Sequence, residues 1–274
     1  MGPSLVREPA VAGMFYPGSA RALEQQLDEL MAPAAQEHDL IGCVAPHAGY
    51  VYSGGVAGRL YAHLRIPERV IVLGPNHTGL GRPVSIAPHA GWRTPLGEEP
   101  VDRELAGLLV EAFSGAALDA DAHWREHSVE VQIPFLQARR RDVRVLPVCL
   151  QHLRLEDCLA LGRALAAVVK QVGAAVGIVA SSDMSHYEPD AAARAHDREA
   201  IDAALSLDPT ALYDTVHREG ISMCGVIPAT VALEAAIHLG ANAGHLVAYA
   251  TSGDVSGDRS AVVGYAGLCF YRES

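Results

Sequence analysis

Apolar positions cluster in short continuous runs at residues 41–45, 70–74, 84–87, 143–150, 176–180, 245–251 and 261–271. Most are rich in Val and Ile, the pattern of strands covered on both faces by helices. Helical periodicity fills the intervals. Ser19 is placed to cap a helix over 20–31, where Leu23, Leu27, Leu30 and Met31 form one apolar stripe. Further helices are predicted over 101–113, 129–139, 155–172, 191–205 and 228–239, the last with Pro228 in its first turn. Strands alternating with helices predict an α/β fold with a central, mostly parallel or mixed sheet flanked by helices. The absence of a repeat, a low-complexity tract or a linker predicts one domain over 1–274.

Three of the apolar runs end on chemistry. Ile41-Gly-Cys-Val-Ala-Pro46 runs into His47, Val70-Ile-Val-Leu-Gly-Pro-Asn76 into His77, and Val176-Gly-Ile-Val-Ala-Ser-Ser182 into Asp183 and His186. Open α/β sheets build their sites at the carboxyl ends of strands. Three such exits, distant in sequence, are therefore predicted to converge on one metal-centred site. The glycines of Ala48-Gly-Tyr-Val-Tyr-Ser-Gly-Gly55 and Thr78-Gly-Leu-Gly81 are expected to turn the backbone sharply near a ligand. Tyr50 and Tyr52 are candidates to line the pocket and bind substrate.

Composition narrows the classes. A chain of 274 residues is long enough for a well-buried core without staples. A formal net charge of −11 argues against nucleic acid and anionic membranes as partners. The five cysteines, Cys43, Cys149, Cys158, Cys224 and Cys269, include no CxxC pair and fit a reducing compartment. The opening residues carry no apolar leader, and Val6 breaks a myristoylation pattern. No apolar run approaches the ~20 residues of a membrane span. The expectation is a cytoplasmic chain.

Two further segments carry candidates. Cys224 lies in a loop entering a helix, where a helix N-terminus is expected to lower a thiol's pKa. It reads as a metal ligand, as a nucleophile with His186 and Asp183, or as a packed small residue. Asp121-Ala-His-Trp-Arg-Glu-His-Ser-Val-Glu130 is dense in polar groups. There, Ser128 is a candidate cap, and His127 either contacts substrate, orients a ligand or faces solvent. His38, His63, His196, His217 and His238 lie in or beside helical patterns, and His89 and His152 in loops without supporting context. Two histidines with an anionic side chain form the pattern of an open Fe(II) site, with a further histidine free to move protons.

Six ordered segments carry a resemblance over nearly the whole chain: Arg7-Glu-Pro-Ala-Val-Ala-Gly-Met-Phe-Tyr-Pro17, Ala45-Pro-His-Ala-Gly-Tyr-Val-Tyr-Ser-Gly54, Leu73-Gly-Pro-Asn-His-Thr-Gly79, Glu126-His-Ser-Val-Glu130, Ser181-Ser-Asp-Met-Ser-His186 and Met223-Cys-Gly225. Together they resemble the MEMO family, also called AmmeMemoRadiSam system protein B. The resemblance implies a fold similar to class III extradiol dioxygenases, with a non-haem Fe(II) site acting on a small, catechol-like substrate and O2. His47 and His77 match the histidine ligands, His186 the acid/base histidine, and Asp183 an aspartate beside the pocket. Cys224 falls where the dioxygenases have a glutamate ligand, so Cu or Zn also enters as a candidate metal. The family's signalling members imply an alternative, a metal- or ligand-binding scaffold without turnover. The expected partners are a small molecule and O2, without nucleic acid or membrane, a homo-oligomer being left open.

Overall fold

The computed structural model describes residues 6–273. The expectation of no leader or lipid signal falls mainly on residues 1–5, outside the described residues. The main sheet contains β1 (Gly42–Ala45), β2 (Arg69–Pro75), β3 (Val84–Ile86), β4 (Ala116–Leu118), β5 (Arg144–Leu150), β6 (Val176–Ser181), β7 (His186–Glu188), β8 (Ala243–Thr251) and β9 (Val262–Tyr271). The helices that cover it are α1 (Ala20–Leu30), α2 (Tyr50–Ala62), α3 (Arg103–Ala112), α4 (Ile133–Arg139), α5 (Leu155–Val172), α6 (Asp190–Leu205), α7 (Pro209–Arg218) and α8 (Val226–His238). The fold is a mixed α/β sheet flanked by helices.

Strand order is β7-β9-β1-β6-β2-β5-β3-β4, with β8 paired to β9. The four middle strands, β1, β6, β2 and β5, are mutually parallel, so their carboxyl ends open side by side. β9 joins β1 antiparallel at one flank and β3 joins β5 antiparallel at the other. Consecutive residues of the middle strands feed opposite cores. Val44, Ile71, Leu73, Ile178 and Ala180 pack on the side of α3, α5 and α8. Cys43, Ala45, Val70, Val72 and Val179 pack on the side of α1, α2 and α4. Burial on both faces is why these strands read as continuous apolar runs. Cys43, Cys149, Cys158 and Cys269 are buried free thiols.

Several expectations need correction. The glycine-rich segment after His47 is helix α2, not a turn. A Cβ at Gly58 would lie 2.3 Å from the Leu30 carbonyl oxygen, so the glycine lets α1 and α2 approach closely. Helix α7 escaped the apolar pattern although it carries start signals. Asp208 accepts hydrogen bonds from the N–H groups of Thr210 and Ala211, and Pro209 opens the helix. Ser19 occupies the N-cap of α1 without a side-chain cap bond. The segment 129–139 begins as a 3-10 turn, Glu130–Gln132, before α4. Ser128 does not cap it, because its hydroxyl donates to the Pro75 carbonyl.

The N-terminal segment straps onto the site-bearing loop. Val6–Arg7 pairs parallel with Gly91–Thr94, and the Arg7 guanidinium lies 4.7 Å over the Trp92 ring. Arg7 forms a buried ion pair with Glu130, which also accepts from the N–H of Ala10 and Val11 and from the Tyr16 hydroxyl.

Candidate metal centre

Three of the expected site residues follow the carboxyl ends of middle strands. His47 follows β1, Asp183 follows its neighbour β6, and His77 follows β2 on the far side of β6. Cys224 comes from the opposite direction, at the loop that opens α8. The candidate ligand atoms of His47, His77 and Cys224 all lie within 4.8 Å of one another. Cys224 Sγ is 3.3 Å from His47 Nε2. Gly225 permits this approach: a Cβ there would sit 2.3 Å from the Ser181 carbonyl oxygen, at the end of β6.

The hydrogen-bond network presets both imidazoles. Ser181 Oγ donates to the Ser128 carbonyl, which can only accept, at 2.6 Å. That hydroxyl has no second proton, so it accepts from Gln132 Nε2 at 2.8 Å and from His47 Nδ1 at 2.9 Å. His47 therefore carries its proton on Nδ1 and turns the Nε2 lone pair toward Cys224. For His77, Nδ1 donates to Glu126 Oε1 at 2.9 Å, so Nε2 is the ring nitrogen left for a ligand. Burial, followed by the charges of His127, His77 and His186, holds the His47 pKa well below the ordinary imidazole range. A neutral imidazole with one oriented lone pair is what metal ligation requires.

Glu126 organises this corner and was quoted in a sequence motif without a role. It is fully buried. Its Oε1 also accepts from the N–H of His127 and Ser128, and its Oε2 from the His77 N–H at 2.6 Å. Burial would raise its pKa, but the hydrogen bond and charge of His77 and the Ser128 N–H outweigh it, holding the group down at about 2. Glu126 thereby orients His77, and with His77 and His127 it forms a second group of potential donors beside the first.

The remaining candidates take distinct places. His127 stacks on His77 with ring centroids 4.7 Å apart, meets His47 edge-on at 5.4 Å, and carries Phe15 on another side at 4.9 Å. Asp183 Oδ1 accepts from the His47 N–H at 2.8 Å, and Oδ2 stands 3.9 Å from His47 Nε2. Burial raises the Asp183 pKa. His186 donates Nδ1–H to the Ser222 carbonyl at 2.9 Å, so Nε2 is the ring nitrogen left for another partner. The charge of His186 bears on both His47 and Asp183, yet His186 is not among the three clustered donors.

Three expectations change here. Tyr50 does not line a pocket: it is 3 % exposed, packs on Phe135 and Tyr16, and donates its hydroxyl to the Val131 carbonyl. Tyr52 stands 43 % exposed to solvent on α2. The Cys224 thiol is pushed up, not down, because burial and then the Asp183 charge outweigh the helix N-terminus. A protonated thiol, its single S–H facing the His47 Nε2 lone pair at 3.3 Å, is not poised as a nucleophile.

A cavity of about 250 Å³ adjoins the donors, with His77 and Cys224 among its lining residues. Neither Tyr50, Tyr52, Asp183 nor His186 lines it. Among the described residues no helix is long and apolar enough to cross a membrane.

Comparison with known proteins identifies the family. The family profile described as "Memo-like protein" matches residues 7–269. A "MEMO1 family protein" of Methanosarcina mazei is 44% identical over 267 residues, covering 96% of this chain and 98% of the relative. One from Aquifex aeolicus is 44% identical over 97% of this chain and 99% of its own length, and one from Archaeoglobus fulgidus is 43% identical over the same shares. With its profile match and its relatives both spanning nearly the full length, the chain belongs to the Memo-like protein family.

Proposed function

We propose that the chain is a non-haem Fe(II)-dependent oxygenase of the extradiol type, acting on a small chelating substrate such as a catechol with O2. The reading rests on one observation: two imidazoles, each with Nδ1 engaged in a hydrogen bond, bring ligand atoms within 4.8 Å of each other and of a third donor, Cys224. His47, His77 and Cys224 would hold the metal. Three protein donors leave further coordination positions to small molecules. A bound Fe(II) would supply Lewis-acid activation of a chelating substrate and electron transfer toward O2.

The chain's own residues do the rest. His186 Nε2 accepts a substrate proton and later returns it, with Ser222 fixing its tautomer. Asp183 holds the His47 backbone and keeps a carboxyl oxygen beside the site. His127 and Phe15 shield the other side of His77 from water. The test is anaerobic purification, Fe(II) loading and O2 uptake over a panel of catechols. Stoichiometric iron lost in His47→Ala, with uptake on at least one substrate, is the expected result. No iron at the site and no uptake over the panel would refute the reading.

A second reading follows from the thiol at 3.3 Å from His47 Nε2. A sulfur donor suits Cu(I) or Zn, and the protein would then be a metal- or ligand-binding scaffold without turnover. Tight Cu(I) binding by calorimetry, abolished by His47→Ala and unaccompanied by turnover, decides for it.

A further inference from the structure

The cavity beside the donors has a definite chemical grain. His77 and Cys224 line it together with the apolar Ile227 and Pro228 on the first turn of α8, and with Gln151 and His152, just past β5. At about 250 Å³ it is smaller than the ~300–1,000 Å³ of sites for drug-sized ligands. It is larger than the ~150 Å³ cavity that accepts benzene, so one substituted ring is the natural occupant.

Its polar groups are not equally available. Asn76 is spent on its own turn, accepting from Thr78 and Gly79 and donating to the Leu80 carbonyl. The Gln151 amide donates to the carbonyls of Gly79, Leu80 and Gly81. The His152 imidazole has no hydrogen-bond partner among the described residues. No acidic side chain lines the cavity, although the chain carries a formal net charge of −11. The N-terminus of the 13-residue helix α8, whose first residues line the cavity, adds a positive dipole end there.

We propose that His152 is a specificity-determining residue that donates a hydrogen bond to a carboxylate on a single-ring substrate, whose chelating groups face His77 and Cys224 in the same cavity. The inference rests on the metal-centred reading above and names the substrate class for it. It gives a role to a histidine whose sequence context carried no signal.

The experiment uses the full chain loaded anaerobically with Co(II), whose absorption band reports chelation without turnover. Catechol and 3,4-dihydroxybenzoate are titrated into the wild type, His152→Ala and His152→Gln, with Co(II) stoichiometry measured in each. The wild type is expected to bind the carboxylate-bearing ring about tenfold more tightly than catechol, the scale of one charge-assisted hydrogen bond. His152→Ala should abolish that preference while catechol binding and Co(II) stoichiometry stay unchanged. His152→Gln, which retains an N–H donor, should restore part of it. No carboxylate preference in the wild type, or the same preference in His152→Ala, overturns the role of His152 and leaves the metal site standing. Failure of Co(II) to bind, or of catechol to perturb its band, overturns both.

Discussion

Glu126→Gln tests the logic of the site at its most concentrated point. The substitution keeps shape and volume and removes only the charge and one acceptor. Glu126 is fully buried and accepts four hydrogen bonds, from His77 Nδ1 and from the backbone N–H groups of His77, His127 and Ser128. A glutamine can keep its carbonyl toward the three donors at Oε1. Its amide then faces the His77 N–H, two donors opposed where a bond of 2.6 Å stood. Losing one bond to a charged acceptor costs about 1.5–3 kcal/mol, and the unsatisfied donor, only part-buried, adds about 1 kcal/mol at the low end of its range. The expected loss of stability is therefore about 3 kcal/mol, read by urea unfolding. Metal affinity should fall with it, by about 10- to 100-fold, because His77 loses the anionic partner that fixes its ring and raises its basicity. Co(II) titration by calorimetry measures this. A variant within about 0.5 kcal/mol of the wild type, the range of ordinary surface substitutions, and with unchanged Co(II) affinity would refute the reasoning.

Three other outcomes follow from different parts of the structure. Gly225→Ala places a Cβ 2.3 Å from the Ser181 carbonyl and 2.4 Å from Ser182 Cβ, so it should displace Cys224. It should cost about 1–3 kcal/mol of stability and weaken Co(II) binding, whereas wild-type behaviour in both would show that the helix start has room to spare. Arg7→Met leaves the buried Glu130 carboxylate without its cation and should cost about 3–5 kcal/mol. Thermal unfolding measures it, and adding Glu130→Gln should recover part of the loss; additivity of the two would count against the pair. His123 is buried, and burial followed by the His89 charge pushes its pKa down to about 3. The unfolded chain takes up that proton below about pH 6.5, so the stability from keeping His123 neutral is present above that pH. It is lost as pH falls toward 3, by up to ~1.4 kcal/mol per pH unit. Urea unfolding at pH 7 and pH 5 should show the loss, and His123→Gln should flatten it; an equal slope in the variant would contradict the assignment.

The sequence by itself determined the layered α/β plan and the rough position of the site. Apolar runs mark strands because burial on both faces is a local demand that each residue must meet. Histidines just past those runs mark the carboxyl edge because strand direction carries them there. The conformations that depend on distant partners were decided only by the tertiary structure. The tautomer of His47 is set by Ser181, 134 positions away, and that of His77 by Glu126, 49 positions away. The glycines before and within α2 read as a turn until Leu30 is seen packed against Gly58. Tyr50 reads as a pocket residue until its hydroxyl is found on the Val131 carbonyl. The Cys224 thiol illustrates the divide most plainly. Its place before a helix predicts a lowered pKa, a local electrostatic effect. Packing against Asp183 and the core raises it instead, because desolvation and a neighbouring carboxylate exist only once the chain has folded.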